Sequence, residues 1–421
     1  MNPGSSRRKT IVFSPVGTEG DIRPMACLAR AARDAGHEVR LLVSPDHLDL
    51  CRSLGMEAVS VGRSSAPEME KLGKAGNGKP LRAMKTMLAL LRENCRDNFA
   101  EMPRYLEGAD LLVASIIHFA SHSLSEKFHM PLCVAGHVPL LLHSRHHPPP
   151  GVANFGLPRF VNALLWKLNS RMVDLAMRST LDRERLAAGL SRLVGPLERH
   201  LASHFLLGMD PELATLPVDA PSSALQSGYW HVPSDRPLSR ELESFLERGD
   251  APVYVGFGSM ADKDPEATVR IVRDAMERTG RRVLVSKGWA GIESESDGRI
   301  LSIGHEPHDV LFPRLAAVVH HGGAGTTWTA ARAGTPQVVV PHLMDQYWWA
   351  DRVAALGLGP APIRREKLSE DRLETALRKV LDPAFSDACR RFAVPLRERN
   401  GLREGVAALE QVIAKGRMAR P

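Results

Sequence analysis

The sequence predicts an α/β protein of two domains, each a doubly wound parallel sheet with helices on both faces. Its 421 residues exceed the roughly 250–300 at which a single hydrophobic core stops growing. Short apolar runs alternate with helical patterns in both halves, and a proline-rich stretch near residue 220 separates them. We expect the two domains to face each other across a ligand cleft at the carboxyl ends of both sheets.

The first domain opens with a strand–helix–strand unit. The run Thr10–Pro15 predicts a buried strand, and the turn Gly17–Asp21 follows it. Helical spacing of apolar residues from Pro24 predicts a helix that ends at Gly36, and His37–Val43 predicts the next parallel strand. Two further apolar runs continue the alternation of a parallel sheet, at 110–117 and 131–135.

Two stretches of the first domain have apolar residues every three or four positions, at 81–102 and 161–175. Both predict amphipathic helices with Arg and Lys on the polar side. The simplest interpretation is that they pack on the domain. The alternative is that they line a cleft for an apolar ligand or touch a membrane surface.

The second domain repeats the alternation after a linker. Prolines recur between residues 211 and 237 with little periodicity. We therefore assign 1–215 to the first domain, 216–237 to the linker and 238–421 to the second domain, whose final helix we expect to pack back on the first. Strands are predicted at 252–257, 282–286, near 300 and 318, and at 337–340, with helices beginning at Asp264, Thr326 and Ser369.

The composition limits the function. Lys and Arg (55) outnumber Asp and Glu (48), and the net charge of +7 suits a polyanion, an anionic membrane surface or a phosphorylated small molecule. Aromatic residues make up only 5% and no nucleic-acid-binding motif occurs, so a basic nucleic-acid-binding protein is the less favoured alternative. Five scattered cysteines without CxxC spacing, and no apolar run of about 18 residues, favour a cytoplasmic protein without a membrane span.

The segment 318–353 carries the most informative motif. An apolar strand ends at His320, glycines follow at 322, 323 and 325, and a helix begins near Thr326. Backbone N–H groups at such a helix start bind phosphate, and His320 and the Thr326 hydroxyl add donors. After the next strand come Asp345 and Gln346, a carboxylate and an amide that suit a polyhydroxylated ligand.

The stretches HHGGAGTT, AGTPQVVVP and DQ together resemble the donor-binding signature of the GT-B glycosyltransferases of the UDP-glycosyltransferase superfamily, in the bacterial sterol and natural-product branch. The similarity covers nearly the whole chain, because GTEGDIRP, VGFGSM and SKGWAGI also occur in the family's order. It implies two Rossmann-like domains. It also implies an enzyme that transfers a hexose from a UDP- or dTDP-linked sugar to a hydroxyl of an apolar small molecule, such as a polyketide, a macrolide, a sterol or a lipid.

The resemblance also implies which residues bind the donor. His320 and the Gly322–Thr326 loop would hold the diphosphate, and Asp345 and Gln346 would bind the sugar hydroxyls. One position departs from the family, because Trp328 stands where many relatives carry a Glu that binds the ribose. The predicted donor-binding residues are Gly17, Thr18, Ser259, Trp289, His305, His320, Gly322, Gly323, Gly325, Thr326, Asp345 and Gln346.

Asp21 is the predicted catalytic residue. Relatives with a catalytic His place it in a Gly-His-x-x-Pro turn, which here reads GDIRP at 20–24. By this resemblance Asp21 is the general base that removes the acceptor's proton as the hydroxyl attacks the anomeric carbon, with inversion of configuration. Considered alone, Asp21 is better interpreted as a cap of the helix that starts near Arg23. His118 and His137, at the ends of two later strands, are candidates for orienting the acceptor.

We expect neither a metal ion nor a cofactor. Asp262-Lys263-Asp264 imitates a metal-binding DxD motif but fits a helix start better, with Asp264 as the N-cap and Pro265 at the first helical position. Helix N-termini and His320 would then stabilise the leaving diphosphate.

Two other enzyme classes are less favoured. A nucleotide-sugar epimerase would share the fold, but the amphipathic helices of the first domain suit an acceptor. A nicotinamide-dependent oxidoreductase would need a G-x-G-x-x-G turn after the first strand, where the sequence reads VGTEGD. We expect a monomer or a homodimer that binds a nucleotide sugar and an apolar acceptor, with no nucleic acid and at most peripheral membrane contact.

Overall fold

The computed structural model describes residues 8–64, 80–152, 156–197, 204–258, 265–287 and 298–418. These residues form two compact units. The first holds the described residues within Met1–Pro149, Gly156–Val232 and Asn400–Pro421, and the second holds those within Pro150–Phe155 and Pro233–Arg399. Each unit is built on a parallel sheet with flanking helices, so the predicted α/β class is confirmed.

The sheet of the first unit has, in the described residues, seven parallel strands in the order β3-β2-β1-β4-β5-β6-β7. The strands are β1 Thr10–Ser14, β2 Glu38–Val43, β3 Val59–Ser60, β4 Leu111–Ser115, β5 Leu132–Gly136, β6 Phe205–Gly208 and β7 Leu225–Ser227. The helices are α1 Glu19–Asp34, α2 Leu48–Ser53, α3 Pro80–Glu101, α4 Pro103–Leu106, α5 Ser121–Lys127, α6 Arg159–Ala187 and, from the end of the chain, α14 Gly401–Met418. Short 3-10 helices lie at Pro45–His47 and Pro139–Leu141.

The sheet of the second unit has the order β10-β9-β8-β11-β12, again with every described pair parallel. Its strands are β8 Val253–Gly256, β9 Val283–Ser286, β10 Ile300–Ile303, β11 Ala317–His320 and β12 Gln337–Val339. Its helices are α7 Arg240–Glu247, α8 Pro265–Thr279, α9 His308–Leu311, α10 Ala324–Ala333, α11 Gln346–Ala355, α12 Glu370–Val380 and α13 Pro383–Glu398, with 3-10 helices at Phe312–Arg314 and Arg365–Lys367.

Alternating side chains of the central strands pack the two faces of each sheet. In β8, Val253 and Val255 join the core that includes Leu373 of α12, whereas Tyr254 joins the core on the other face with Leu242 of α7. This alternation follows from the two-residue period of a strand. In the described residues, no helix has the length and hydropathy needed to cross a bilayer.

Helix α14 completes the core of the first unit, although about 380 residues separate it from α1 along the chain. Its Leu409 and Val412 are fully buried in the cluster that also holds Leu28 and Ala29 of α1. Helix α14 therefore stabilises the unit that contains β1.

Two sequence predictions about the first unit are wrong in detail. The first helix begins at Glu19 and not at Pro24, because Thr18 and Asp21 form a capping box ahead of the proline. The segment 216–237 is not only a linker, because Leu225–Ser227 pairs with β6 as the last strand of the sheet. A strand of three residues between prolines has no alternation long enough to read from the sequence.

The buried contact of α14 gives a test of the fold. Replacing Leu409 with Ala should lower the free energy of unfolding by about 2–5 kcal/mol, because the side chain is fully buried and a cavity remains. Lys415→Ala on the same helix, at an exposed position, is the control and should change it by less than about 0.5 kcal/mol. Urea unfolding followed by circular dichroism measures both, and equal small effects would mean that α14 does not belong to this core.

Candidate active site

The strand order of each sheet reverses beside its first strand, between β1 and β4 in the first unit and between β8 and β11 in the second. Loops leave such a point in opposite directions, so a crevice opens at the carboxyl ends of those strands. The turn with Asp21 follows β1, and the glycine loop 322–326 follows β11. The fold thus brings the two predicted groups of residues to the ligand-binding edge of their own sheets.

The Asp21 carboxylate is folded back on the turn that precedes α1. Its Oδ2 accepts hydrogen bonds from the Thr18 backbone N–H at 2.9 Å and from the Thr18 hydroxyl at 3.1 Å. Asp21 is exposed, and both bonds converge on one carboxylate oxygen. Both bonds hold the carboxylate in one position, and they leave Oδ1 outside the contacts with Thr18.

Gly17 makes this geometry possible. Its φ is +143°, and a Cβ atom at this residue would lie 2.3 Å from Asp21 Oδ2. Any other residue would displace the carboxylate. The predicted roles of Gly17 and Thr18 in donor binding remain predictions, whereas their contacts here are with the predicted base.

His137, at the carboxyl end of β5, lies close to Asp21. Burial lowers the pKa of His137, and the negative charge of Asp21 is the strongest opposing influence. The imidazole Nδ1 lies 3.4 Å from the Gly208 carbonyl, and the ring packs edge-on against Tyr229 and Trp230. A buried imidazole thus lies beside the carboxylate.

His118 has a structural environment. Its Nε2 lies 3.0 Å from the Ser14 hydroxyl, which itself donates to Met102 Sδ at 3.7 Å. The ring is fully buried, and burial lowers the pKa of His118 to about 4. It lies inside the unit and not on the surface where an acceptor would bind.

His320 lies wholly inside the second unit. Its Nε2 is 2.9 Å from Gln337 Oε1, and its Nδ1 accepts the Gly322 N–H at 3.1 Å. Gln337 in turn donates to the Thr327 carbonyl in α10, at 3.3 Å. Both ring nitrogens are therefore used within the protein, and this geometry argues against the direct phosphate contact that we predict for His320.

The same bonds fix the state of the imidazole. Since Nδ1 accepts and Nε2 donates, the ring is neutral with its proton on Nε2. Burial, followed by the neighbouring His321, lowers the pKa of His320 to about 3, in agreement with that state. His320 acts on the loop through Gly322.

The glycine loop itself is shaped for close approach. Gly322 has a φ of +90°, and a Cβ atom there would lie 2.9 Å from Val339 Cγ1. Gly323 is the N-cap of α10, whose first N–H groups, up to Thr326, have no acceptor within the helix. The loop therefore presents backbone donors and the positive end of a helix dipole, as predicted for a phosphate site.

His321 is a candidate site residue that the sequence analysis missed. A Cβ atom at Gly323 would lie 2.6 Å from His321 Nε2, and one at Gly258 would lie 3.2 Å from Cε1, so the ring lies between these two glycines. Its Nδ1 is buried and has no hydrogen-bond partner among the described residues. Burial lowers the pKa of His321 to about 4. The two adjacent histidines before the glycines could have indicated this residue. Successive side chains at a strand end point to opposite sides, so one histidine points inward and the next outward.

Asp345 and Gln346 lie at the start of α11. Gln346 is buried, and its Oε1 accepts the backbone N–H groups of His342 at 2.9 Å and Leu343 at 3.1 Å. Asp345 is half-buried at the N-cap position of α11. The amide oxygen of Gln346 thus shapes the turn on which Asp345 stands, a contact that the sequence did not indicate.

The remaining predicted donor residues divide into two groups. His305 is exposed and follows β10. Its backbone carbonyl accepts a hydrogen bond from the Arg236 guanidinium. Ser259, Trp289 and the segment Asp262–Asp264 lie outside the described residues. Among the residues that are described, no group of three or more His, Cys, Asp or Glu side chains is arranged to hold a metal ion.

Comparison with known proteins gives a consistent result. Residues 296–401 match a family model described as "Erythromycin biosynthesis protein CIII-like, C-terminal domain". The chain is 36% identical to the vancomycin aglycone glucosyltransferase of Amycolatopsis orientalis over 382 residues, 89% of this chain and 90% of that protein. It is 29% identical to the sterol 3-beta-glucosyltransferase UGT80B1 of Arabidopsis thaliana, over 96% of this chain and 68% of that protein.

Solved structures with the same architecture have lower sequence identity. The calicheamicin glycosyltransferase CalG4 superposes with a TM-score of 0.71 at 20% identity, over 98% of this chain and all of that one. The spinosyn rhamnosyltransferase SpnG, solved with thymidine diphosphate, gives a TM-score of 0.66 at 19% identity, over 96% of this chain and 99% of that one. These similarities identify the fold as GT-B.

The bond between His320 and residue 337 can be tested by titration. In Gln337→Glu a carboxylate would face His320 Nε2, so the pKa of His320 should rise from about 3 towards its ordinary value of 6.5. As the pH falls through that raised pKa, the imidazolium can no longer accept the Gly322 N–H, whose exchange with solvent should speed up.

Nuclear magnetic resonance of uniformly nitrogen-labelled protein measures both changes, because the imidazole signals report the pKa of His320 and the Gly322 amide signal reports exchange with solvent. The internal control is His118, in the other unit, whose pKa of about 4 should be the same in the two proteins. An unchanged His320 titration in the variant would mean that Nε2 is not bonded to residue 337.

Proposed function

Because the chain belongs to the family of glycosyltransferases that includes the vancomycin aglycone glucosyltransferase, we propose that it transfers a hexose from a nucleotide-diphosphate sugar to a hydroxyl of an apolar small molecule. One observation carries the proposal. Each parallel sheet ends, where its strand order reverses, in one of the two groups that the reaction needs: the Asp21 carboxylate after β1 and the 322–326 loop before α10. A relative named for an aglycone and others named for sterols support an acceptor that is a natural product or a sterol-like molecule.

Donor binding rests on the second unit. The backbone N–H groups of Gly323, Gly325 and Thr326 at the start of α10 would bind the diphosphate, and the helix dipole favours its negative charge. His321 would donate to the same group from its position between Gly258 and Gly323. As bond cleavage leaves charge on the diphosphate, these fixed donors stabilise it without rearranging.

Asp345 and Gln346 would bind hydroxyl groups of the donor sugar. Asp345 accepts hydrogen bonds and lies on the turn that the Gln346 amide holds. A thymidine diphosphate complex in one structural relative and glucosyltransferase names among the sequence relatives support a dTDP- or UDP-linked donor. In this proposal the chain's own groups hold the diphosphate, and the reaction needs no metal ion and no cofactor. We place the protein in the cytoplasm, where nucleotide sugars occur.

Asp21 would be the general base. The acceptor hydroxyl loses its proton to Asp21 Oδ1 while its oxygen forms the new bond to the anomeric carbon, and the bond from that carbon to the diphosphate oxygen breaks. Attack from the side opposite the leaving group inverts the anomeric configuration. Thr18 and Gly17 hold the carboxylate in place, and the buried His137 lies close to it.

The role of Asp21 as base can be separated from its role as helix cap. Asp21→Asn keeps an amide oxygen that can accept the two Thr18 bonds but removes the base, so kcat should fall by about 10²–10⁴-fold. The thermal midpoint should stay close to that of the unchanged protein. A panel of UDP- and dTDP-sugars with a mixed library of hydroxylated acceptors, read by nucleotide release and product mass, measures the rate.

One control variant and one further measurement make this test specific. Thr18→Ala removes the hydroxyl bond to the carboxylate and should lower stability by about 1 kcal/mol while leaving a measurable rate. Proton spectra of the product report the anomeric configuration. Transfer by Asp21→Asn at the normal rate would refute the base, and a product with retained configuration would refute the direct displacement.

The donor site can be tested by binding alone. His321→Ala should weaken binding of UDP or dTDP by about 10- to 100-fold, the value of a hydrogen bond to a charged group. His305→Ala is the matched control, because that histidine is exposed and we predict that it meets the base through its backbone, which the substitution keeps. Isothermal titration calorimetry measures both affinities, and equal affinity of His321→Ala and the unchanged protein would remove His321 from the site.

A further inference from the structure

The exposed side of α6 carries a row of large apolar side chains. Phe160, Leu164, Leu168, Met172 and Leu175 recur every three or four residues, so they lie along one side of the helix. Each is more than half exposed, from 52% at Leu168 to 82% at Leu175. We call these five residues the apolar row.

The core of the first unit does not account for this row. Helix α6 is already packed through its opposite side, where Trp166, Met177 and Leu181 are buried. The Trp166 indole also donates to the His147 carbonyl at 3.0 Å. A helix that is apolar on its buried side and again on its exposed side has a second apolar surface to cover, and such patches mark interaction sites.

The charged residues beside the first four members of the apolar row are all positive. Arg159, Lys167 and Arg171 are exposed on the same stretch of helix, and the sequence has no Asp or Glu from 157 to 173. The first carboxylate, Asp174, is in an ion pair with Arg178. The surface is therefore both apolar and positively charged, the combination that an anionic lipid surface complements.

We propose that the apolar row docks the protein on an anionic phospholipid surface, with α6 lying in the plane of the interface. The five apolar side chains enter the boundary between headgroups and acyl chains, and Lys167 and Arg171 contact lipid phosphates. This proposal goes beyond sugar transfer and does not depend on it. An apolar acceptor that partitions into a bilayer would be concentrated at the same surface.

A second copy of the chain fits this surface less well. Two helices that pair about a two-fold axis present the same patch to each other. An axis at the middle of the apolar row would lie next to Lys167, so the two copies would bring like charges together within a turn of helix. Lipid phosphates neutralise those charges, whereas a second copy repeats them.

Vesicle flotation tests the proposal with the full-length protein. The protein should float with vesicles of phosphatidylcholine and phosphatidylglycerol, float less with phosphatidylcholine alone, and detach as salt is raised. The double variant Leu164→Asp with Leu168→Asp should lower the partition coefficient by more than about tenfold, because two side chains leave the interface. Lys167→Glu with Arg171→Glu should lower it by about fivefold or more for each charge on the anionic vesicles.

The control is Val218→Asp, another exposed apolar residue of the first unit that lies outside α6, and it should bind vesicles like the unchanged protein. Nucleotide affinity and the thermal midpoint are measured on every variant, to show that each is folded. Light scattering after size exclusion reports the oligomeric state. The proposal is overturned if the unchanged protein does not bind anionic vesicles, or if the row variants bind them as strongly as the unchanged protein. It is also overturned if the row variants convert a dimer to a monomer.

Discussion

The hydrogen bond between the His320 imidazole and the Gln337 amide is the interaction on which the candidate donor site depends. It joins the carboxyl end of β11 to β12, and its two ends hold Gly322 and Thr327 on either side of the α10 N-terminus. An apolar pair in these positions would leave the Gly322 N–H buried without this acceptor. The side chains of His320 and Gln337, which lie beneath the candidate site, therefore set the direction of the glycine loop. The loop residues proposed to bind the donor are oriented by these two side chains.

In the first unit, fewer residues position the candidate functional group. The proposed base, Asp21, is held by its own turn, since both bonds to the carboxylate come from Thr18 and the space for it comes from Gly17. One carboxylate oxygen completes the helix start, and the proposed reaction uses the other. The two interpretations of Asp21 that the sequence allows, cap and base, are therefore compatible, because they use different oxygens of one group.

The sequence predicted what depends on local pattern. Apolar runs indicated the central strands, and the glycines after His320 indicated the loop and helix start of a candidate phosphate site, because both signals lie within a few residues. The sequence did not predict contacts between residues that are distant along the chain. The hydrogen bond between Gln337 and His320 depends on the register of the two strands, and so does which of the two adjacent histidines faces outward. The strand at 225–227 was missed because three residues carry no period.

The electrostatics of the second unit follow from burial. The pKa values of His320 and His321 lie near 3 and 4, so neither imidazole carries charge in the neutral range. In the proposed donor site, the backbone dipoles at the start of α10, which do not titrate, would then attract the negative charge of a diphosphate. A site of this kind keeps its affinity across the pH range in which free histidine would lose its proton. On α6, exposed Lys and Arg side chains lie beside apolar side chains that face solvent.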